Sequence, residues 1–405
     1  RISEEPFVKN SAFHNALSNL KLRYSYGTVG YDRNAGFFTY VQTYSVGGAN
    51  SGVQLGATNA DRTTYGPYII EQQIANEKAT WETAYKQNLG LDWGLFDNQL
   101  TGIIELYKER REGILMTMVA PAWFGFKDPD ANLGVTKNHG IEIELGWNSK
   151  IGKDMRYFVK GTLALNENRI VERNDPPGIP QYRQWAGKPI AVNRNMLVAG
   201  YYESLDDIYN YAASTSRGNI IPGDLMYMDF NANGEIVNHQ DQDQVPMKNS
   251  NHPYRTLSLT GSFSWKNLDF TMLWYGVFDI YKNLVDEMLY QLQDGKNGNY
   301  YAYPEVIHRW TPETASTAIM PALHTTELFR GWNEYPSTWK WRNASYLRLK
   351  NLEISYNLNK EFVRKLNMTK CQFYANGNNL LTFTKFNKYI DPEHNSVSNY
   401  PMIKR

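Results

Sequence analysis

The chain has 405 residues, with 42 Lys and Arg against 41 Asp and Glu, 14% aromatic residues and a mean hydropathy of −0.56. A net charge of +1 offers no electrostatic footprint for nucleic acid. No run approaches the roughly 18 apolar residues that a membrane helix requires, so a helical membrane protein is excluded. All-β units often use this length as one domain, and one domain is expected.

In chain order, the first element is Leu20 to Gly27, where Leu20, Leu22, Tyr24 and Tyr26 alternate with charged or small residues. A strand turns successive side chains to opposite faces, so this stretch has one apolar and one wet face. Residues 30–75 are rich in Gly, Asn, Thr and Tyr and predict strand ends mixed with loop. Alternation returns over Thr80 to Phe96, with Leu89, Leu91, Trp93 and Leu95 on one face, and Asp97-Asn98 predicts a tight turn into Leu100 to Met118. From His139 to Ser149 the apolar set is Ile141, Ile143, Leu145 and Trp147, opposite Glu142, Glu144, Gly146 and Asn148.

Between about residues 174 and 251 the alternation breaks into a Pro-, Gly-, Asp- and Asn-rich stretch, either a long loop or a small folded insert. Arg255 to Trp265 resumes with Leu257, Leu259, Gly261, Phe263 and Trp265 against five Ser and Thr residues, and Lys266-Asn267 turns into Leu268 to Phe278. A second long connection covers about residues 286–341. Strands follow over Ser345 to Asn357 and Lys370 to Asn378, and a slip of phase between Leu349 and Leu352 predicts a β-bulge. The lone Cys371 reads as a small packing residue.

Apolar faces of Leu, Phe, Trp and Tyr on so many alternating segments predict an all-β fold, an antiparallel transmembrane β-barrel with both edges open, of roughly ten to thirteen strands. Low mean hydropathy does not oppose this, because only half of each strand meets lipid. A soluble or surface-attached glycan-binding β protein is the rival; its apolar faces would pack on a second sheet.

Several segments resemble, in order, the SusC/RagA-type TonB-dependent outer-membrane transporters of Bacteroidetes. They are Thr80-Trp81-Glu82 with Gln87 to Asp92, Gly94 to Gly102, Asn138 to Leu145, Ala344 to Glu353, Gly377 to Lys385, Asp391-Pro392-Glu393 and Tyr400 to Arg405. The resemblance implies that residues 1–405 are the C-terminal part of a large plugged barrel. It places the plug, the secretory signal and a last strand outside these residues. It also implies TonB-powered import of a nutrient, an oligosaccharide in the first reading and a peptide in the second. The implied partners are a SusD-like surface lipoprotein, TonB and outer-membrane lipid. The long connections at 174–251 and 286–341 would face outward and supply part of the lipoprotein contact. A passive porin is the remaining variant, distinguished by the lack of a plug.

No nucleophile triad, zinc motif or phosphate loop is present, the seven His are scattered, and no enzyme activity is expected. Aromatics in the long connections are the candidate substrate-stacking residues: Trp123, Trp185, Tyr201, Tyr202, Tyr209, Trp310, Trp332, Trp339 and Trp341. Each has loop packing or interface anchoring as its plainer reading. Asp229, Asn231 and Asn233 before Gly234 fit the first half of a calcium loop, with Asp241 one residue late for the closing acid. The alternative is an Asx-rich turn ordered by its own side chains.

Overall fold

The structure is a computed structural model that describes residues 4–5, 16–32, 39–46, 53–55, 63–65, 69–71, 74–119, 128–214, 219–236, 242–247, 250–284, 304–324, 332–365, 367–386 and 390–394. Its frame is one antiparallel sheet of nine strands: β1 (Leu17–Tyr31), β2 (Glu82–Leu95), β3 (Leu100–Thr117), β4 (Asp130–Ile151), β5 (Met155–Glu172), β6 (Arg255–Trp265), β7 (Leu268–Phe278), β8 (Tyr346–Asn357) and β9 (Gln372–Thr384). Each strand pairs with its neighbours in chain order, the meander of an up-and-down barrel wall. Among the described residues nine strands form this sheet, below the expected ten to thirteen, and the strands described between β1 and β2 pair apart from it. There Tyr44–Val46 pairs Ile69–Glu71 and Val53–Leu55 pairs Thr63–Tyr65, two short two-stranded pairs outside the nine-stranded sheet.

The register keeps like faces together. Leu22, Leu91, Ile104, Ile143, Leu163, Leu257, Gly276, Leu347 and Phe383 form one continuous rung across all nine strands. Of the outward set Ile141, Ile143, Leu145, Trp147, Leu257, Leu259 and Phe263, none is buried, and no second sheet covers this face among the described residues. The apolar face is thus left open among the described residues, and every strand between the two edges has its backbone paired on both sides. The expected bulge is present: pairing with β7 and β9 slips around Lys350.

Short turns lie at one end of the sheet, between β2 and β3, β4 and β5, and β6 and β7. In the last of these Lys266 adopts φ 53°, the left-handed conformation that two-residue hairpin turns need. Outward rings gather near this end, including Trp93, Trp147, Tyr157, Trp265, Tyr356 and Phe373. The Trp147 indole donates to the Tyr157 hydroxyl at 2.9 Å. Such a belt is what the interfacial girdle of a membrane barrel would require. Trp93 lies flat over Gly102, where a Cβ would sit 2.1 Å from the ring, so only glycine fits. The β8–β9 connection, with a short helix at Lys360–Lys365, joins the same end as the short turns; the connections after β1, β3, β5 and β7 leave the opposite end, and there β3, β4 and β5, of 18, 22 and 18 residues, rise past the 11-residue β6 and β7.

Candidate functional site

Alternation that sends Leu and Trp outward sends charged and hydroxyl side chains to the inner face. Over β1 to β5 many of these form ion pairs. The Arg23 guanidinium donates to Asp92 (Nη2 to Oδ1, 2.6 Å; Nε to Oδ2, 2.9 Å) and to Glu105 (2.7 Å), whose second oxygen accepts from Asn88 at 3.2 Å. Nearer the long connections, Arg111 joins Glu82 (2.8 Å) and Glu109 (3.1 Å), while Glu144, level with Asp92 in the register, joins Lys160 (2.7 Å). Partly hydrated pairs of this kind contribute roughly 0–1 kcal/mol each, so their main effect is to neutralise the wall.

Over β6 to β9 the inner face carries hydroxyls and amides. Thr162 and Ser258 share a hydrogen bond of 2.6 Å, Asn351 donates to Asn378 at 3.1 Å, and Gln372 donates to Ser355 at 3.0 Å. One buried cation interrupts this zone. Arg348 donates to Asp391 (2.6 Å), Glu393 (2.7 Å) and the Thr382 hydroxyl (2.9 Å), while Lys350, displaced by the bulge, also reaches Glu393. Burial works against ionisation of Asp391, but the Arg348 hydrogen bond, the Glu393 backbone amide and the charges of Arg348 and Lys282 together hold the carboxyl below the usual carboxylate range. The chain after β9 is thus clamped onto the inner wall. Lys282, bonded to the His394 carbonyl, has its ammonium pKa lowered by burial.

The two long connections, expected separately, fold into one unit. Met196, Tyr202, Ile208, Leu225, Tyr227 and Ile236 from the first pack around Trp332 from the second. The helix α1 (Leu205–Asn210) starts at a capping box of Ser204 and Asp207 and contributes Ile208 to this core. Polar bonds lock the halves together. Asp224, fully buried, accepts from Asn333 (2.7 Å) and meets His324 Nε2 at 2.5 Å, and the Leu225 amide donates to Asn333 at 2.9 Å. The Met196 amide donates to the Pro336 carbonyl at 2.8 Å.

This folded unit decides where the nine aromatic candidates stand. Trp332 is buried, its indole donating to the Leu225 carbonyl at 2.6 Å, and Tyr202 is buried beside it, so both are core and not substrate platforms. Trp310 is likewise buried, packed over Gly223, whose φ of 95° and absent side chain admit the ring. Trp185 is capped by guanidinium groups, with Arg173 and Arg194 at 4.6 and 4.1 Å from the ring centre. Tyr201, Trp339 and Trp341 are half-buried, and Arg342 lies 5.4 Å from the Trp339 ring. Tyr209 on α1 stands 63% exposed. Trp123 lies outside the described residues.

The calcium-like loop is held by its own side chains. Asp229 accepts from the amides of Asn233 (3.2 Å) and Gly234 (2.7 Å), Asn231 from Asn233 (2.9 Å), and Asn233 from Glu235 (2.9 Å). The amide nitrogens of Asn231 and Asn233 both turn to Gln242 Oε1. These residues supply one carboxylate and two amide oxygens, short of the six to eight oxygens of a calcium site, and Asp241 lies outside the described residues. Among the described residues no group of three or more His, Cys, Asp or Glu is placed to hold a metal. The geometry fits an Asx turn.

Sequence reasoning missed the Asp224–His324–Asn333 network and the Arg348 clamp as sites. Parity alone marks Arg23, Asp92, Glu105 and Arg348 as inward-facing. No local signal marks Asp224 and His324, which are 100 residues apart.

No protein-family profile matches the chain. It is 26% identical to the TonB-dependent receptor P3 of Formosa agariphila over 97% of its length and 37% of that protein. It is 25% identical to the TonB-dependent receptor SusC of Bacteroides thetaiotaomicron, again over 97% of this chain and 37% of that protein. The chain thus spans just over a third of the curated relatives it matches. Its fold is similar to the solved RagAB peptide transporter, with a TM-score of 0.65 at 20% identity, covering 94% of this chain and 39% of that one. The same transporter in its open-open state gives a TM-score of 0.68.

Proposed function

We propose that this chain, of the SusC/RagA type of TonB-dependent outer-membrane transporter, walls part of the lumen through which a hydrated oligomeric nutrient, an oligosaccharide, is imported. The observation that carries the reading is the inner face: ion pairs satisfied within the wall on one side and a field of neutral hydroxyls and amides on the other. Such a surface exchanges hydrogen bonds with a polyhydroxylated ligand at little net cost, because the wall partners many of its own charges. No bond is made or broken in this role. TonB supplies the work, and a SusD-like lipoprotein covers the mouth. The joint insert, part of an outward-facing loop layer, presents exposed Leu205, Tyr209 and Ile307 to that partner.

A peptide is the second reading. It is favoured by the withdrawal of Tyr202, Trp310 and Trp332 into packing and the capping of Trp185, which leaves fewer rings free to stack on sugars. Uptake of labelled oligosaccharides and peptides by cells carrying the complete transporter and its lipoprotein tests both. The expected result is accumulation of a glycan that stops when TonB is deleted. Accumulation of peptides alone would replace the substrate, and uptake indifferent to TonB would overturn the transport reading.

A further inference from the structure

The outward wall carries a groove as well as a band. Leu257, Leu259, Trp274, Leu347 and Phe383 line an apolar depression of about 270 Å³ on the face turned to lipid. It exists because Gly276 stands in the rung between Leu257 and Leu347, so that rung lacks a side chain at its centre. Trp274 and Phe383, stacked at 6.1 Å with 18° between their planes, form one side. The depression does not end blindly. Leu347 and Phe383 also line a second hollow of about 510 Å³, one rung nearer the long connections, whose other walls include Phe278, Ser345, Thr384 and Lys385. Along a single groove the lining therefore passes from wholly apolar to hydroxyl-bearing and then to a cation.

At that polar end the charges are distinct. Arg255, opposite Phe278 in the register, is neutralised by Asp279 at 2.8 Å. Lys385 is exposed and has no partner among the described residues. We propose that this groove is a fixed binding site for an acylated, phosphate-bearing lipid of the outer leaflet, its chain against Trp274 and Leu347 and its headgroup phosphate on Lys385. The inference rests on the reading of the chain as a membrane barrel wall with its long connections outside. Charge and position select the occupant: the floor lies within the lipid-facing band, and the cation lies where headgroups begin. A second copy of the chain seated here would instead have to cover Lys385 and the Arg255–Asp279 pair with its own apolar wall, which leaves a charge without water or partner.

The complete transporter, delipidated in non-ionic detergent, is titrated with phosphatidylglycerol and with phosphatidylcholine of the same chains, and bound lipid is counted by native mass spectrometry. Phosphatidylglycerol should bind preferentially, and Lys385→Ala should weaken it about fivefold while leaving phosphatidylcholine unchanged. Gly276→Leu, which fills the depression, should weaken both lipids. Should that variant not fold, the Lys385→Ala comparison decides by itself. Equal binding of the two lipids, or a preference that survives Lys385→Ala, overturns the site. A detergent-stable dimer that forms without bound lipid and dissociates on Gly276→Leu overturns it in favour of a second copy. If either happens in protein that keeps heat-modifiable migration and TonB-dependent uptake, the lipid site falls and the transport reading stands.

Discussion

Arg348 carries the largest single-residue burden on the inner wall, because its side chain is only 3% exposed and serves two carboxylates at once. Arg348→Met leaves Asp391 without its bonded counter-charge while Glu393 keeps Lys350, which should cost about 3 kcal/mol, the low end for breaking a buried pair. Denaturant unfolding of the complete transporter in vesicles reads this. The pH dependence has a definite sign. The folded-state pKa of Asp391 is depressed, so the clamp's stabilisation is complete above the unfolded carboxylate value of about 3.9 and is lost as pH falls through the folded value. Pepsin cleavage near residues 390–394 should therefore begin only in strong acid, and Arg348→Met should move its onset to higher pH. Asp229 offers a second residue-scale test. Asp229→Ala removes the acceptor of two loop amides and should cost about 1 kcal/mol, with calcium shifting the melting temperature of neither protein. A calcium-dependent rise in the wild type that the variant loses would establish an ion site. Of the residues that matter at this scale, the inward charges were legible from parity, whereas the burial of Trp310 and Trp332 was not. Nothing within a few residues of either ring distinguishes a core aromatic from an exposed one.

At the scale of elements the strands were the most legible part. The hairpins on either side of Asp97-Asn98 and Lys266-Asn267 and the bulge at Lys350 all follow from alternation and turn chemistry. β5 escaped notice because Gly161 stands in its outward set and Phe158 in its inward set, which blurs the contrast between faces. Strand length was also underestimated. β4 runs to 22 residues, about twice what a bilayer needs, since pairing continues into water wherever a neighbour is available. Leu259 lies near the middle of the shorter β6, and a charge there meets the depth of the bilayer. Leu259→Arg should cost about 2–4 kcal/mol in vesicle folding at graded denaturant. An unchanged midpoint would count against a lipid-facing wall.

For the whole molecule, the sheet was legible and the insert was not, because the core around Trp332 joins segments separated by more than 100 residues and by the entire β6–β7 hairpin. Trp332→Ala should open a cavity worth about 3–5 kcal/mol in that core. Limited proteolysis should then cut both long connections together, while heat-modifiable migration of the barrel persists. Cleavage of one connection alone would mean that they do not fold as one unit. The same arrangement governs the order of assembly. The two halves of the insert flank the β6–β7 hairpin, so the contacts between them close a long loop and are expected to form after that hairpin has paired. Once closed, they act on the hairpin as a staple acts on a fold of paper. β6 and β7 should not slide or withdraw from the sheet without first breaking the buried core around Trp332, and the lifetime of this part of the sheet should follow the opening rate of that core.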